Sequence, residues 1–336
     1  MSILVTGGCG YIGAHTIIDL IENGYDVVNI DSQDRSTDRH IKALQEYTGK
    51  TVSNYKVNLC DKEAVRKVFE KHPDINGIIH FAAFKSVGES VEQPLAYYRN
   101  NLFSQINLLE LTEEFNIKNF VFSSSCSVYG NTTELPVTEQ TPRQEAESPY
   151  GNSKRVGEDI IKDTAKVSKN NFVSLRYFNP IGAHHSGCIG EVPYGPPQNL
   201  QPIIMETALG KRELLKVFGS DYKTRDGSCI RDYIHVMDLA HAHTLALQYL
   251  AEDRNDTNYE IFNIGSGDGV TVFEMIEAFE KTTETKLNYE VDQRRPGDVE
   301  AIYADNAKTK DKLGWIPKYN IDDMMLSAWK WNQEAL

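Results

Sequence analysis

The chain has 336 residues, longer than a typical single domain, so one large domain or two intimately packed ones are expected. Hydrophobic residues make up 40% and charged residues 25%, with a formal charge of −13 from 35 Lys and Arg against 48 Asp and Glu. That balance argues against a nucleic-acid surface, which needs a basic face, but leaves room for an anionic small ligand met by a few convergent arginines. In chain order, "SILVTGG" is a short β-branched run that reads as a strand ending in glycines. "YIGAHTIIDLIENG" follows as a helix, with Ile17, Leu20 and Ile21 at helical spacing and Gly24 as its stop. "YDVVNID" reads as a second buried strand, Asp61 and Glu63 open another helix, and "GIIHFAAF" reads as a further strand. "PLAYYRNNLFSQINLLELTEEF" is a long helical pattern, then come the strand "NFVFSSS", a helix from Pro149 and the strand "NFVSLRYFN".

Strands alternating with helices predict an α/β fold: a doubly wound parallel sheet of the Rossmann type, with helices on both faces. After about residue 180 the pattern changes. "PIGAHHSGCIGEVPYGPPQNLQP" is rich in proline and glycine and reads as a long loop, which inside a compact chain is usually functional. Strand-and-helix patterns return at 229–250 and 259–267, and "DQRRPGDVEAIYAD" (292–305) reads as a polar loop with adjacent arginines. The expected organisation is an NAD-binding domain over 1–180, with the chain returning to it around 230–265. Residues 181–336 then form mainly a smaller α/β C-terminal substrate domain. The five cysteines (Cys9, Cys60, Cys126, Cys188, Cys229) form no C-x-x-C pair, so no metal is expected and reduced thiols in a cytoplasm are. No apolar run approaches the roughly 20 residues that span a bilayer, and "MSILVTGG" enters a strand with no leader pattern, so a cytoplasmic protein away from membranes is expected.

"GGCGYIG" places Gly7, Gly10 and Gly13 between the first strand and the first helix. Glycines there permit the tight turn and let the backbone approach a pyrophosphate at the helix N-terminus. Asp31 ends the second strand 18 residues past Gly13. A carboxylate at that point accepts hydrogen bonds from an adenosine ribose and repels a 2′-phosphate, so NAD is the expected cofactor; Arg35, which would favour NADP, lies four residues further into a loop. In "ESPYGNSKRVGED", Tyr150 and Lys154 stand one helical turn apart, behind a Pro149 suited to the first turn. Ser123 to Ser125 end the fifth strand, at the sheet edge where doubly wound folds bind ligands. A phenol with an ordinary pKa of about 10 is a poor base near neutrality. A lysine ammonium and the positive nicotinamide would lower that value and make Tyr150 a general acid/base beside a hydride acceptor.

"TGGCGYIG", Ser125, "YGNSK", "RYFNPIGAH", "RDYIHVMDL" and "RRPGD" together resemble the extended short-chain dehydrogenase/reductase superfamily, and within it the UDP-glucose 4-epimerase (UDP-galactose 4-epimerase) family. The resemblance runs from residue 2 to "LGW" at 313–315. It implies an NAD-dependent UDP-sugar 4-epimerase, an isomerase in which Tyr150 takes the sugar 4-hydroxyl proton while hydride passes from C4 to NAD. Lys154 then holds the cofactor ribose and Ser125 hydrogen-bonds the reacting oxygen. By the same resemblance Tyr11, Ile12, Leu59, Phe81, Ala82, Ala83, Lys85, Asn100, Ser123, Tyr177 and Phe178 line the cofactor. Asn58 stands where the family commonly has an aspartate facing the adenine. Arg231 and Arg295 match the phosphate-binding arginines, whose planar forks suit phosphate oxygens. Lys85, Asn179, Asn199, Leu200, Phe218, Tyr233 and Asp298 fall at contacts to sugar, uracil or uridine ribose. Ile302 falls at the residue gating the sugar 2-substituent, so UDP-glucose and UDP-galactose are expected as main substrates and N-acetylated sugars as weaker ones.

The resemblance leaves rivals. Nucleotide-sugar 4,6-dehydratases need an acid and a base after the strand-five serine, where this chain has Cys126 and Ser127. A 4-epimerase of UDP-pentoses or UDP-uronates would share the hydride chemistry. A non-catalytic NAD-binding regulator would have dropped the tyrosine or the lysine, and both are present. The resemblance also implies a homodimer formed through the two long helices.

Overall fold

The computed structural model describes residues 2–295 and 298–334; Pro296 and Gly297 of "RRPGD" lie outside the described residues. The chain first runs through β1 (Ser2–Thr6), α1 (Tyr11–Glu22), β2 (Asp26–Asp31), α2 (Arg39–Thr48), β3 (Ser53–Lys56), α3 (Lys62–Lys71), β4 (Ile75–His80), α4 (Val87–Glu92), α5 (Pro94–Glu114), β5 (Asn119–Ser123), α6 (Pro149–Ala165) and β6 (Asn171–Tyr177). It continues through β7 (Asn179–Ile181), α7 (Leu200–Ala208), β8 (Leu215–Phe218), β9 (Ile230–His235), α8 (Val236–Ala251), β10 (Tyr259–Ile264), β11 (Gly269–Thr271), α9 (Val272–Thr283), β12 (Tyr289–Asp292), β13 (Ala301–Ile302), α10 (Ala307–Leu313) and α11 (Ile321–Glu334).

Seven strands form one sheet in the order β10-β6-β5-β4-β1-β2-β3, and each pairing in it is parallel. β1 shows why the sheet is covered on both faces. Ile3 and Val5 point into a cluster with Ile17, Leu20, Leu239 and Leu247 of α1 and α8. Leu4 points the other way, among Val65, Phe69, Leu108 and Ile161 of α3, α5 and α6. The two-residue period of a strand sorts alternate side chains to opposite layers. The strand order reverses at β1, between β4 and β2, and the carboxyl edge at that switch is where doubly wound sheets leave a crevice.

The remaining elements build a second layer system. β9 pairs with β7, β11 and β13, and β8 pairs with β12. A third core, including Ile204, Met205, Tyr233, Met275, Phe279 and Met325, packs between these strands and α7, α9 and α11. Three expected strands are shorter than read. β4 stops at His80, β5 at Ser123, and β6 is interrupted at Phe178 before β7 resumes. Each is a strand end that turns into the crevice, where backbone groups leave the ladder. The expected polar loop at 292–305 contains the two-residue strand β13, paired in parallel with β9.

Candidate active site

The glycine turn is gripped from both sides. Gly7 has φ +77° and donates its N–H to the Ile30 carbonyl at 2.8 Å. A Cβ on Gly7 would sit 2.8 Å from the Ala82 nitrogen, and one on Gly13 would sit 2.4 Å from the Gly7 carbonyl oxygen. Both positions therefore exclude side chains, whereas a Cβ on Gly10 would meet only the Gly7 oxygen at 3.2 Å, and its other side is open. Gly10 begins α1 with no side chain capping the helix, so the first-turn N–H groups of Tyr11, Ile12 and Gly13 lie at the turn. Asp31 is buried; its carboxylate accepts from the Cys9 N–H at 3.0 Å, the Gln33 N–H at 2.8 Å and the Ser36 hydroxyl at 2.9 Å. Burial pushes the Cys9 thiol up to about 12, so within the glycine turn it is a neutral filler. This is a cradle with the backbone donors and the carboxylate that a dinucleotide requires.

Tyr150 and Lys154 project from the first turns of α6, which the Ser148 hydroxyl caps by accepting from the Gly151 N–H at 3.2 Å. Lys154 is 4% exposed, and its Nζ donates to the Ser123 carbonyl at 2.6 Å. Burial lowers its pKa to about 8. The Ser123 hydroxyl shares a 2.7 Å hydrogen bond with the Tyr177 hydroxyl. Ser125 begins a short 3-10 turn (Cys126–Tyr129), and its Oγ accepts from the Ser127 hydroxyl at 2.9 Å. The expected lowering of the Tyr150 pKa rests on two charges together, the Lys154 ammonium and the nicotinamide. Burial drives the phenol well above its ordinary range, helped by Tyr177, and only the Ser125 hydroxyl draws it back. The ammonium is committed to a carbonyl, so removing the proton from Tyr150 calls for a further positive charge in the crevice.

Several residues that support this edge were not anticipated. Glu158, one turn beyond Lys154 on the buried face of α6, binds Arg176 of β6 through two contacts, Nε–Oε1 at 2.9 Å and Nη2–Oε2 at 2.7 Å. It also accepts from the Ser124 hydroxyl at 2.6 Å, so one carboxylate joins α6, β5 and β6 behind the chemistry. Asn101 of α5 holds the Phe84 backbone through both its N–H (2.8 Å) and carbonyl (3.1 Å), and donates to Ser153 of α6 at 3.0 Å. Asp232, buried in β9, accepts from the backbone of Ser266, Gly267 and Ala304. The available signal was a polar or charged residue among the buried positions of its helix or strand.

On the other side of the crevice, Arg231 and Arg295 converge. Arg231 Nη2 lies 3.6 Å and Arg295 Nε 3.0 Å from the Asp298 carboxylate. Asp298, expected among the contacts to sugar, uracil or uridine ribose, holds the two guanidinium groups together here. The Arg295 guanidinium also lies 4.6 Å from the Phe218 ring centroid, and both arginines face Tyr233, which burial raises to about 12. Burial pushes the Cys126 thiol up to about 12, and Arg231, close enough to oppose that rise, links this group to the Ser125 turn. Ile302 is buried with Val128, Tyr129, Phe178 and Ala304, beside Arg231 in register. Asn179 faces Tyr233 across the β7–β9 pairing.

Other expected residues stand apart. Asn58 is exposed, and its side chain accepts from the Cys60 N–H at 2.9 Å. Asn100 donates to Asn101 at 3.0 Å, with Leu59 buried nearby against α3 and α5. Asn199 and Leu200 start α7, with Leu200 packed on the third core. Lys85 is exposed and lies 3.4 Å from Glu191. The Tyr11 hydroxyl is committed to the Gly182 carbonyl at 2.6 Å, leaving its backbone to the turn. Among the described residues no group of His, Cys, Asp and Glu could hold a metal ion, and no helix is long and apolar enough to cross a membrane.

The chain is similar to known proteins over nearly its whole length. The profile of the GDP-mannose 4,6 dehydratase family matches residues 4–327. UDP-glucose 4-epimerase of Bacillus subtilis (strain 168) is 45% identical over 332 residues, covering 98% of this chain and 96% of its own. The chain belongs to the UDP-glucose 4-epimerase family. Among solved structures, UDP-glucose-4-epimerase from Stenotrophomonas maltophila, with bound NAD and formylated UDP-arabinopyranose, superposes with a TM-score of 0.96 at 40% identity, covering 100% of this chain and 98% of that one. The Bifidobacterium longum UDP-glucose 4-epimerase, in complex with NAD+ and UDP, gives 0.93 at 42% identity, covering 99% and 98%. The α/β fold with its parallel sheet is therefore the family's fold, matched over the full length of the chain.

Proposed function

We propose that this protein interconverts UDP-galactose and UDP-glucose as an NAD-dependent carbohydrate epimerase. The observation that carries this reading is Tyr150, Lys154 and Ser125 at the sheet edge beside the Asp31-backed glycine turn, in a chain aligned end to end with epimerases. NAD, when bound, supplies a reversible hydride acceptor and a positive charge next to the phenol. In this reading residues 1–180, with the return at 230–265, hold the cofactor, and 181–336 mainly hold the UDP-sugar. Gly7, Gly10 and Gly13 take the pyrophosphate and Asp31 the adenosine ribose. Tyr150 removes the 4-hydroxyl proton and returns it, with Ser125 bonding the same oxygen. Lys154, anchored on the Ser123 carbonyl, fixes the nicotinamide ribose. Arg231 and Arg295 bind the diphosphate, so the nucleotide is held firmly while the sugar is free to turn over between hydride transfers.

The same reading includes a homodimer and a cytoplasmic location. Leu95, Phe103 and Ile106 are exposed on one face of α5, which packs alongside α6, and a second copy is the partner that would cover them. The test is a proton NMR time course with purified protein, UDP-galactose and no added NAD. Appearance of UDP-glucose supports both the epimerisation and a retained cofactor. Absence of conversion, even with NAD supplied, would refute the assignment. UDP-N-acetylgalactosamine added to the same tube should convert more slowly, as Ile302 requires; equal efficiency would overturn the role given to that residue.

A further inference from the structure

β2 and β4 flank β1, and Thr6 at its end is in register with Ile30 on one side and His80 on the other. The segments that follow β2 and β4 therefore rise on either side of the glycine turn. They meet again beyond the strand ends. Arg35 Nη1 and Nη2 lie 2.5 and 2.8 Å from the two carboxylate oxygens of Glu89 in α4. The guanidinium carbon lies 3.6 Å from the Phe84 ring centroid and 5.6 Å from that of Tyr194. The buried Tyr97 hydroxyl donates to the same carboxylate at 2.8 Å. Both ends are themselves anchored: Ser36 is tied to Asp31, and Phe84 to Asn101. At 26% and 27% exposure, the pair is half-withdrawn from water and screened less than a surface pair.

We propose that the Arg35–Glu89 pair is a strap across the dinucleotide crevice. A cofactor running from Asp31 past the glycine turn lies beneath it, and the pair must part before the cofactor can leave. This rests on the NAD assignment above. It also gives Arg35 a task other than reading a 2′-phosphate, because both of its terminal nitrogens are engaged by Glu89. Arg35 and Glu89 act here as positioning residues, through the closure of the crevice and not through the reacting atoms.

The test uses the holoprotein as purified and measures the rate of NAD release in a dilution chase, with bound NAD counted after gel filtration. Arg35→Ala and Glu89→Gln should each speed release about tenfold, the worth of one well-formed charge-assisted pair. The two changes combined should be no worse than either alone, and the reversed pair Arg35→Glu with Glu89→Arg should recover most of the retention. Arg35→Lys, which keeps the charge but not the fork, should fall between, and covers the case in which a harsher variant fails to fold. Turnover of UDP-galactose at saturating NAD should stay within about twofold of the parent, since the strap contributes only to cofactor dissociation. Release at the parent rate in both single variants would overturn the strap. So would faster release in Arg35→Ala alone, which would mean that Arg35 touches the cofactor directly. A parent protein that holds no NAD and converts no UDP-galactose would instead overturn the functional reading itself.

Discussion

Lys154 and Arg231 are cations facing one crevice, and they are held in opposite ways. Lys154 is fully enclosed, fixed to a strand-end carbonyl, with the Glu158–Arg176 pair behind it. Arg231 and Arg295 come from a strand edge and a loop, and their shared counter-ion Asp298 sits on that same loop. The enclosed side has no freedom to reorganise, which suits a proton transfer whose partners must already be in place. The loop-borne side exchanges one anion for another at little cost, which suits a nucleotide diphosphate that comes and goes.

The sharpest way to break this contrast is Tyr150→Phe. It should lower kcat about 10³-fold or more while NAD stays bound, as read by UDP-galactose conversion and by cofactor extraction. Retained activity would remove Tyr150 from the chemistry. Next, Glu158→Gln leaves Arg176 buried without its counter-charge and should cost about 3–5 kcal/mol in urea unfolding. A loss below about 1 kcal/mol would mean that the enclosed side is not stiffened by this pair. Acid should act on the enclosed side too. Burial lowers His80 to about 3 and His243 to about 4, below an unfolded value near 6.5. Their contribution is complete above pH 6.5 and is lost as pH falls toward 4, by about 2 kcal/mol each at pH 5. Unfolding midpoints measured from pH 7 to 4 should show that slope, and His243→Gln should flatten it. The smallest effect belongs to the loop side. Asp298→Asn should raise the KM for UDP-galactose about tenfold with kcat and thermal stability nearly unchanged.

The sheet, the glycine turn, Asp31 and the Tyr150–Lys154 pair were all legible because their signals are local: a period, a cap, a spacing of four. Glu158 carried such a signal as well, four residues past Lys154, but its meaning lies in Arg176 and Ser124, which come from other strands. Asp232 was opaque for the same reason, since its partners sit at 266, 267 and 304. Spacing on a helix put Lys154 beside Tyr150 but could not show that its ammonium ends on the Ser123 carbonyl. Beyond residue 268 the helices α9 and α11 were not resolved from the pattern, although Thr271 and Glu274 form a reciprocal cap at the start of α9.

The seventh strand has a consequence for how the chain is made. β10 covers the edge of β6, yet some 80 residues separate the two in sequence, and the intervening chain builds much of the other layer system. During synthesis β6 therefore remains an open, hydrogen-bonding border, rich in Phe172, Val173 and Leu175, until Tyr259–Ile264 has emerged. A ribosome stalled anywhere between those points would hold out a sheet edge with its hydrogen-bonding groups unpaired.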